Sequence, residues 1–546
     1  MVRRTIKAIT GKIGGLHEAA FWLASFSIFS QILAFVRDRL LAYHFGAGHA
    51  LDLYYASFEV PDLIFATAAS LVSASILVPF FSKWGHSSEG DLKRYVNSIF
   101  TSFFLFISVC SILAWILMPF LVPLFFKSLG VEAMAKVVTF SRILLLSPFF
   151  LGLSNFFGSI VQYEKRFLLY SLSPLLYNLG IILGAFFGAS KFGVIAVIIG
   201  VTIGAFMHML IQVIWAYRSG NGPKFIKNVD LSEVKKTFTL SVPRTISLSA
   251  SSLVGLFFVA IASKLPTGSI AVYSFSFNLQ SVPLVIIGAS YSLAAFPTLA
   301  GHYIKKEISE IGECLSSGLR HIIFWSLPVA SLFIVLRAHI VRVILGSGAF
   351  DWSDTRITAA TLALFVLSVV FQSIQLFLTR AHYAFGKTRL PLIINLGNAF
   401  LTVSLAVIFA KYFSPQGIFF SFVAKVLKVE GLERIGVLGL PIAFSIGALI
   451  SAVLLWFFLD REVRQPITSS VVISFRDSAI SALCIGVATS ISLHLFDGIF
   501  KLDSVLGVFS HAFVSGTIGI TLGIIILILI KNREMGEIIS KFQSHP

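Results

Sequence analysis

The stretch from Phe29 to Pro79 decides the fold and reads FSQILAFVRDRLLAYHFGAGHALDLYYASFEVPDLIFATAASLVSASILVP. Two long apolar segments flank the short glycine-containing turn FGAG at 45–48, as in a hairpin of membrane-spanning helices. Both segments nevertheless carry charged residues. A charge at the centre of a membrane span costs about 2.5–3.5 kcal/mol on insertion scales, so charges in spans are rare and mark functional sites. The stretch therefore predicts a helical hairpin that forms part of the wall of a polar cavity inside a membrane protein.

The composition extends this prediction to the whole chain. Of the 546 residues, 57% are hydrophobic and 12% are charged, whereas soluble domains are about 25% charged. The net charge of +17 would suggest a nucleic-acid partner in a soluble protein. Here most of the excess lies in short loops, where Lys and Arg set the orientation of the spans, so we expect no nucleic-acid partner. The widely spaced Cys110, Cys314 and Cys484 indicate neither a metal site nor a disulfide framework.

Apolar runs long enough to cross a bilayer occur about fourteen times along the chain, at roughly 20 residues or more each. The sequence thus predicts an all-α polytopic membrane protein with about 14 transmembrane helices. Basic residues favour the loops on the side of the N-terminus, so both termini are expected in the cytoplasm. The expected spans are 19–43, 51–82, 96–126, 134–162, 168–189, 193–217, 237–263, 268–299, 315–343, 357–384, 390–412, 435–459, 471–495 and 504–530.

Two short motifs recur at nearly the same spacing. The segment PLLYNLG at 174–180 returns as PLIINLG at 391–397, and YYASFEVP at 54–61 is echoed by YSFSFNLQSVP at 273–283. The matches predict two homologous six-helix lobes, 1–220 and 221–460, in a parallel pseudo-repeat, because an even number of spans preserves orientation. Two extra transmembrane helices and a cytoplasmic tail would occupy 461–546. The alternative is that short apolar matches arise by chance.

The charged residues of the hairpin are the first candidates for substrate binding. Arg37 is expected to grip an anionic group with its planar guanidinium while Asp38 sets its rotamer. Arg39 is also a candidate, although residues two apart on a helix face different ways. Asp52 opens the second span and is expected to be an N-cap at the cavity rim. The alternatives for Arg37 are an internal ion pair and a side chain that extends to the membrane interface.

Glu59 and Asp62 flank Pro61 in the second span. Because proline lacks a backbone donor, the helix is expected to loosen there. A loosened helix with acidic neighbours suggests a gate or a cation site. The alternative is that these carboxylates pack against arginines of neighbouring spans.

Three further polar residues lie in predicted spans. Arg142 in the fourth span and Arg244 in the seventh are embedded cations, and Arg244 is expected to face Arg37 across a shared cavity. Both arginines also lie close to a span end, so a position at a membrane face is the alternative. Asn278 in the eighth span is expected near the same cavity, with helix–helix hydrogen bonding as the alternative.

The signatures of enzymes are missing from the sequence. It contains no Walker A loop and no clustered histidine and cysteine motif. We therefore expect neither an enzyme nor a resident metal or cofactor. A coupling cation or the membrane potential remains as the source of energy.

These motifs resemble the MurJ (MviN) family of the multidrug/oligosaccharidyl-lipid/polysaccharide exporter superfamily. The similarity rests on RDRLLAYHFGAGHALD at 37–52, VP at 60–61 and 78–79, RF at 166–167 with Pro174 and Asn178, GAFDWSDT at 348–355, and RAHYAFGKTRLP at 380–391. It covers most of the chain. Arg37, Asp38 and Asp52 lie on matching positions of the family.

The resemblance implies a fold, a substrate and a location. It implies two six-helix lobes around a central cationic cavity, and two C-terminal helices that form a hydrophobic groove in the bacterial inner membrane. It implies that undecaprenyl-pyrophosphate-linked disaccharide-pentapeptide, lipid II, moves from the inner to the outer leaflet by alternating access for cell-wall synthesis. Alternatives are an exporter of another polyprenyl-linked glycan or of a cationic drug, and a membrane scaffold that transports nothing.

The sequence departs from the family at three cationic positions. Gln31, the region of Phe65 and Asn278 stand where the family usually has arginines. Much of the expected cationic cluster is therefore missing from these positions. The arginines that are expected to compensate for it are Arg39, Arg142 and Arg244.

Overall fold

The computed structural model describes residues 16–87, 89–412, 418–463 and 468–543. Within these ranges all regular secondary structure is helical, because a membrane offers no water to satisfy the polar groups of an exposed strand. Thirteen of the described helical stretches are long and apolar enough to span a membrane. They coincide with predicted spans two to fourteen, so the all-α polytopic fold is confirmed. The predicted first span lies within the helix Leu16–Phe45.

The first compact unit ends at Lys264. An aromatic-rich core that includes the fully buried Phe81, Phe103 and Phe156 holds its middle helices together. Its helices are α1 (Leu16–Phe45), α2 (His49–Ala56), α3 (Glu59–Thr67), α4 (Ala74–Ser87), α5 (Glu89–Phe126), α6 (Val131–Leu144), α7 (Leu146–Tyr163), α8 (Phe167–Phe192), α9 (Val194–Arg218) and α10 (Leu231–Ala262).

The second predicted span is broken in two, as the sequence led us to expect near Pro61. The helix α2 ends at Ala56 and α3 begins at Glu59. In a continuous helix the carbonyl of Ser57 would accept a hydrogen bond from residue 61, and proline has no N–H to give. The hydroxyl of Ser141 on α6 donates to that carbonyl instead, at 2.9 Å. A side chain of a neighbouring span thus replaces the missing backbone donor.

The helices α8 and α9 approach each other closely through glycines. A Cβ placed on Gly180 would lie 2.5 Å from the Cα of Gly204 and 2.7 Å from the carbonyl oxygen of Gly200. Such contact is typical of membrane helices, whose association depends on close packing of small residues. The position of α8, and of the polar side chains it carries, is therefore fixed by backbone contact with α9.

The second compact unit begins at Leu265. Its core includes the buried Leu315, Ile322, Phe377 and Leu455. Its helices are α11 (Ser269–Pro283), α12 (Ser290–Lys305), α13 (Ile308–Ile344), α14 (Trp352–Ala384), α15 (Arg389–Tyr412), α16 (Ile418–Leu427), α17 (Gly439–Val463), α18 (Thr468–Leu495), α19 (Val505–Leu529) and α20 (Arg533–Gln543).

Both copies of each repeated motif lie in corresponding spans. The PLLYNLG copy lies in α8 and the PLIINLG copy in α15, while the echo of YYASFEVP ends α11 just before a π-helical turn at 284–289. The second span is therefore broken just before its proline, and the eighth changes to a π-helical turn just after its proline. The boundary between the compact units follows the seventh span, and the division into lobes at 1–220, 221–460 and 461–546 stays a prediction.

Candidate functional site

Arg37 and Asp38 form an ion pair on α1. The Nε of Arg37 donates to Oδ1 of Asp38 at 2.9 Å, and the same oxygen lies 2.8 Å from Nη2. The carboxylate is 4% exposed, while the guanidinium side chain is 20% exposed. The contact by which Asp38 was expected to set the rotamer of Arg37 is present. It is also the internal ion pair that the sequence left as the alternative, and the two descriptions are compatible.

Asn178 on α8 is a second hydrogen-bond partner of Arg37. Its Oδ1 accepts from Nη1 of Arg37 at 3.2 Å, and its Nδ2 donates to the carbonyl of Pro174 at 3.2 Å and to Oγ of Ser30 at 3.3 Å. Because a carbonyl only accepts hydrogen bonds, the amide NH₂ must face Pro174. The oxygen must therefore face Arg37, and the amide has one permitted orientation.

The arrangement leaves part of the guanidinium open to a ligand. A guanidinium has five N–H groups, and within the described part of the chain Asp38 and Asn178 take three of those of Arg37. The other two are on Nη1 and Nη2, and guanidinium N–H groups suit the oxygens of a carboxylate or a phosphate. Arg37 can thus donate to an oxyanion without giving up its protein contacts.

The ion pair also limits what Arg37 does alone. A guanidinium beside a carboxylate has no net charge, so it recognises an oxyanion through directed hydrogen bonds more than through long-range attraction. Further cations are needed to attract a dianionic group over distance. Arg39, half-buried and oriented away from the direction of Arg37, is one candidate on the same helix.

Removing the acceptor at Asn178 should weaken binding of an oxyanion to Arg37. Asn178→Ala is expected to reduce affinity about 5- to 10-fold, since one net hydrogen bond contributes about 1 kcal/mol. Asn178→Asp should reduce it further, because a second carboxylate gives the cluster a net negative charge. Titration of the purified protein with a prenyl diphosphate measures both variants. Asn155→Ala is the matched control, since that amide on α7 makes one long contact, 3.4 Å to the carbonyl of Ala69. Equal affinity of the Ala and Asp variants would contradict the assignment.

Asp52 is not the N-cap that the sequence predicted. The N-cap of α2 is Gly48, whose backbone is extended, and the amide of Asp52 donates to its carbonyl at 3.1 Å. The helix begins earlier than expected because the glycine of the FGAG turn supplies the non-helical conformation. Asp52 lies in the first turn and is 4% exposed, so its carboxylate interacts favourably with the positive end of the helix dipole. Its position at a cavity rim stays a prediction.

Glu59 and Asp62 occupy the first turn of α3. A helix N-terminus within a membrane span stabilises carboxylates there, because its first amides lack backbone partners. Asp62 is exposed and Glu59 is half-buried. The Glu59 carboxylate lies over Gly255 of α10, 3.8 Å from where a Cβ would stand. Their role as a gate or cation site stays a prediction, and the break in the span before Pro61 is consistent with it.

Arg142 is held at the surface of the first unit. Its Nε donates to the carbonyl of Trp115 on α5 at 3.1 Å, and its guanidinium lies 4.3 Å from the centroid of the same indole. The indole itself is 49% exposed. Cation–π contact of this kind fixes an arginine on a neighbouring helix. The contact fixes the side chain of Arg142, and both its role in substrate binding and its position at a membrane face stay predictions.

Arg244 and Asn278 lie in different compact units. Arg244 is on α10, next to Thr245, whose hydroxyl lies 3.0 Å from that of Ser70, but its own side chain falls outside the described residues. The expected convergence of Arg244 on the cavity of Arg37 therefore stays a prediction. Asn278 is half-buried on α11 and has a polar partner. Two residues on, Oε1 of the buried Gln280 accepts from Nε2 of Gln372 on α14 at 3.1 Å, and both alternatives for Asn278 stay predictions.

Asn178 is the site residue that the candidate set lacked. It stands in the repeated motif PLLYNLG, and the corresponding Asn395 accepts from Gln375 at 3.2 Å in the second unit. A polar residue retained in both copies of an apolar motif is the signal that would have identified it. Its partner could not be read from the sequence, because Arg37 and Asn178 are 141 positions apart.

Comparison with known families identifies the chain. A family profile described as lipid II flippase MurJ matches residues 41–509. The chain belongs to the lipid II flippase MurJ family. The matched range begins at Leu41, just after Arg37, Asp38 and Arg39. The roles of these three residues thus depend on the geometry above and on the motif at 37–52.

Members of the MurJ family from distant bacteria align over most of this chain. A probable lipid II flippase MurJ from Bdellovibrio bacteriovorus is 27% identical over 452 residues, 80% of this chain and 84% of that protein. The lipid II flippase MurJ of Burkholderia cenocepacia is 23% identical over 462 residues, 83% of this chain and 85% of that protein. The family of this chain is therefore one of membrane transporters.

Solved structures share the fold. A lipid II flippase MurJ in an inward closed conformation matches with a TM-score of 0.75 at 22% identity and covers 93% of this chain and 99% of that one. An inward-facing multidrug resistance MATE family transporter of the MOP superfamily matches with a TM-score of 0.65 at 14% identity, over 82% and 98%. The MurJ fold of this chain thus extends to drug transporters, so the fold alone does not specify the cargo.

Proposed function

We propose that this protein is a lipid II flippase of the bacterial inner membrane. Its cargo is the diphosphate-linked precursor of peptidoglycan, which it moves from the inner to the outer leaflet. Family membership supports this assignment, and the two open N–H groups of Arg37 support it independently. A diphosphate offers the paired oxygens that these donors suit. Both termini face the cytoplasm in this proposal, and the protein performs transport without covalent chemistry.

The broken second span suggests how binding is coupled to movement. Arg37 is held by α1 and α8, and the break at 57–58 places the N-terminus of α3 and its carboxylates within the membrane. Discontinuous helices of this kind form binding sites in alternating-access transporters. We propose that the diphosphate binds at Arg37 from one side of the membrane and that rearrangement at the break exposes it to the other side.

Charged groups in the membrane link transport to the membrane potential as a source of energy. One elementary charge that crosses a membrane potential of 100 mV changes its energy by about 2.3 kcal/mol. We propose that the membrane potential acts on Arg39 and on other cations outside the neutral Arg37–Asp38 pair, with a cation at Glu59 and Asp62 as the alternative means of coupling. No resident metal or cofactor is part of this proposal.

A second candidate cargo is another polyprenyl-diphosphate glycan. It is favoured by Gln31, Phe65 and Asn278, which stand where the family usually has arginines. With fewer cations, the site would hold a smaller or less negative head group. Both cargoes share the diphosphate, so Arg37 has the same role in each.

Complementation tests the proposed function. A bacterium depleted of its own lipid II flippase should regain growth and wall synthesis when this chain is expressed. Lipid II exposed on the outer leaflet is measured in the same cells with a probe that cannot cross the membrane. Growth without outward lipid II would contradict the assignment. Failure to rescue by protein that is present in the membrane, together with binding of a different prenyl-diphosphate glycan, would support the second cargo.

A further inference from the structure

The last described helix, α20, is docked against two spans of the second unit, α13 and α19. Met535 on α20 is buried with Phe324 of α13 and Leu527 of α19, and Ile538 packs against the same cluster. Arg533 is exposed, and its Nε donates to Oε1 of Glu537, one turn further along the helix, at 3.1 Å. An amphipathic helix after the final span would ordinarily lie free on the membrane surface. The helix α20 instead packs at a defined position on the protein.

A buried ion pair determines the docked position of α20. Nη1 of Arg320 on α13 lies 3.0 Å from Oε1 of Glu534, and both side chains are almost fully buried at 4% and 2% exposure. Glu537, one turn further along α20, lies 3.7 Å from Nη2 of Arg320 and 3.5 Å from Nε2 of His321. Both carboxylates therefore face α13. Among the described residues, both acidic partners of the Arg320 guanidinium are on α20.

A second attachment ties α20 to the next-to-last span. Oδ1 of Asn532 accepts from the amide of Met535 at 3.0 Å and so caps the start of α20. Nδ2 of the same residue donates to Oδ2 of the buried Asp477 on α18 at 3.4 Å. Arg476 balances the charge of that carboxylate at 2.9 Å. The turn before α20 thus contacts α18 while the helix itself contacts α13.

Charge explains why the docked position of α20 is specific. A buried ion pair contributes little net stability compared with an apolar pair, but removal of one partner leaves a buried charge at high cost. Arg320 is satisfied either with α20 docked or with water around the guanidinium after release. A polar cavity of about 510 Å³, lined by Glu313, Ser316 and Arg320 among others, adjoins the pair and gives water access to it. The ion pair therefore specifies the docked position more than it stabilises the fold.

We propose that α20 is a latch that holds the neighbouring ends of α13 and α18 together, and that its release lets these ends separate. The two helices meet at this end, where the hydroxyls of Ser316 and Ser470 lie 2.7 Å apart. When α20 is docked, Arg320 and Asp477 both bind one short segment, 532–537. Without it, the two spans keep their direct contacts, such as that of Ser316 with Ser470, but lose the restraints of the ion pair and the amide contact.

Disulfide cross-linking reports on the separation. Cysteines replace Ser316 and Ser470 in a full-length chain whose Cys110, Cys314 and Cys484 are changed to alanine. Because the two hydroxyl oxygens are 2.7 Å apart, we expect the sulfur atoms of cysteines at these positions to meet and oxidation to join most of the protein. Arg320→Met should lower the cross-linked fraction several-fold, and deletion of the residues after Asn532 should lower it equally.

A double variant distinguishes the effect of docking from the effect of an unpaired charge. Arg320→Met combined with Glu534→Met replaces the buried ion pair with two apolar side chains. This double variant should return the cross-linked fraction towards that of the parent. A full cross-linked fraction in both the single variant and the truncation would overturn the latch. So would a double variant that cross-links as poorly as Arg320→Met. If Arg320→Met fails to fold, the truncation decides the outcome, because it removes the latch without changing any residue of α13 or α18.

Discussion

Replacing Arg37 with alanine is expected to abolish rescue of a flippase-depleted bacterium. The substitution removes the two open N–H donors that face a ligand, and each charge-assisted hydrogen bond contributes about 1.5–3 kcal/mol. Since about 1.4 kcal/mol corresponds to a factor of ten, loss of both should weaken binding of the diphosphate roughly 100-fold or more. The cross-span contact with Asn178 is lost as well. Outer-leaflet lipid II in cells, and affinity for a prenyl diphosphate in detergent, measure the two consequences separately.

The control for this variant is another arginine of the same unit. Arg218 ends α9 and is exposed, so Arg218→Ala removes an equal charge and should leave transport unchanged. Arg37→Lys should retain a small part of the activity, because an ammonium keeps the charge but not the planar fork. Full rescue by Arg37→Ala, with the protein present in the membrane at the parent level, would rule out Arg37 as the diphosphate ligand.

Replacing Gly180 with leucine is expected to disrupt the first unit. The new side chain would enter the space of the Gly200 and Gly204 backbone, which cannot rotate away as a side chain can. Overpacking costs about 1–3 kcal/mol in an ordinary core and more where backbone must move. Because Gly180 is two residues from Asn178, the shift should also pull the amide from Arg37. A lower melting temperature of the purified protein and loss of transport are the two measurements.

The repeat supplies a matched control for this prediction. Gly397 ends the second copy of the motif, and a Cβ placed there would meet nothing within 4 Å. Gly397→Leu is therefore expected to leave the melting temperature within a few degrees of the parent. Equal destabilisation at both glycines would show that leucine acts on a property that the two copies of the motif share. The close contact of α8 with α9 would then not explain the result.

The fold was largely predictable because its signals are local. A run of about 20 apolar residues marks a span wherever it occurs, and the thirteen candidate spans of the described chain agree with expectation. Pro61 likewise marked the break in the second span, since the missing donor is a property of proline itself. The pairing of Arg37 with Asp38 was also accessible, because the two residues are neighbours.

The rest of the site was not predictable because it depends on which helices meet. Asn178 on α8 binds Arg37 on α1, and the carbonyl of Trp115 on α5 binds Arg142. The error at Asp52 is smaller: the cap moved to Gly48 because a glycine in extended conformation ends the turn sooner than an aspartate further on. In each case several partners were chemically acceptable, and helix packing selected one.

The sequence by itself determined a polytopic helical protein, the family motifs and the buried charges that must find partners. Apolar length and proline position act within a single segment, so no knowledge of the neighbours is needed. The tertiary structure alone decided which partners those charges have. It joined Arg37 to Asn178 through the glycine contact of α8 with α9, and Arg320 to Glu534 across 214 positions. A guanidinium in a membrane protein accepts any nearby carboxylate or amide oxygen, and only packing brings one particular oxygen within reach.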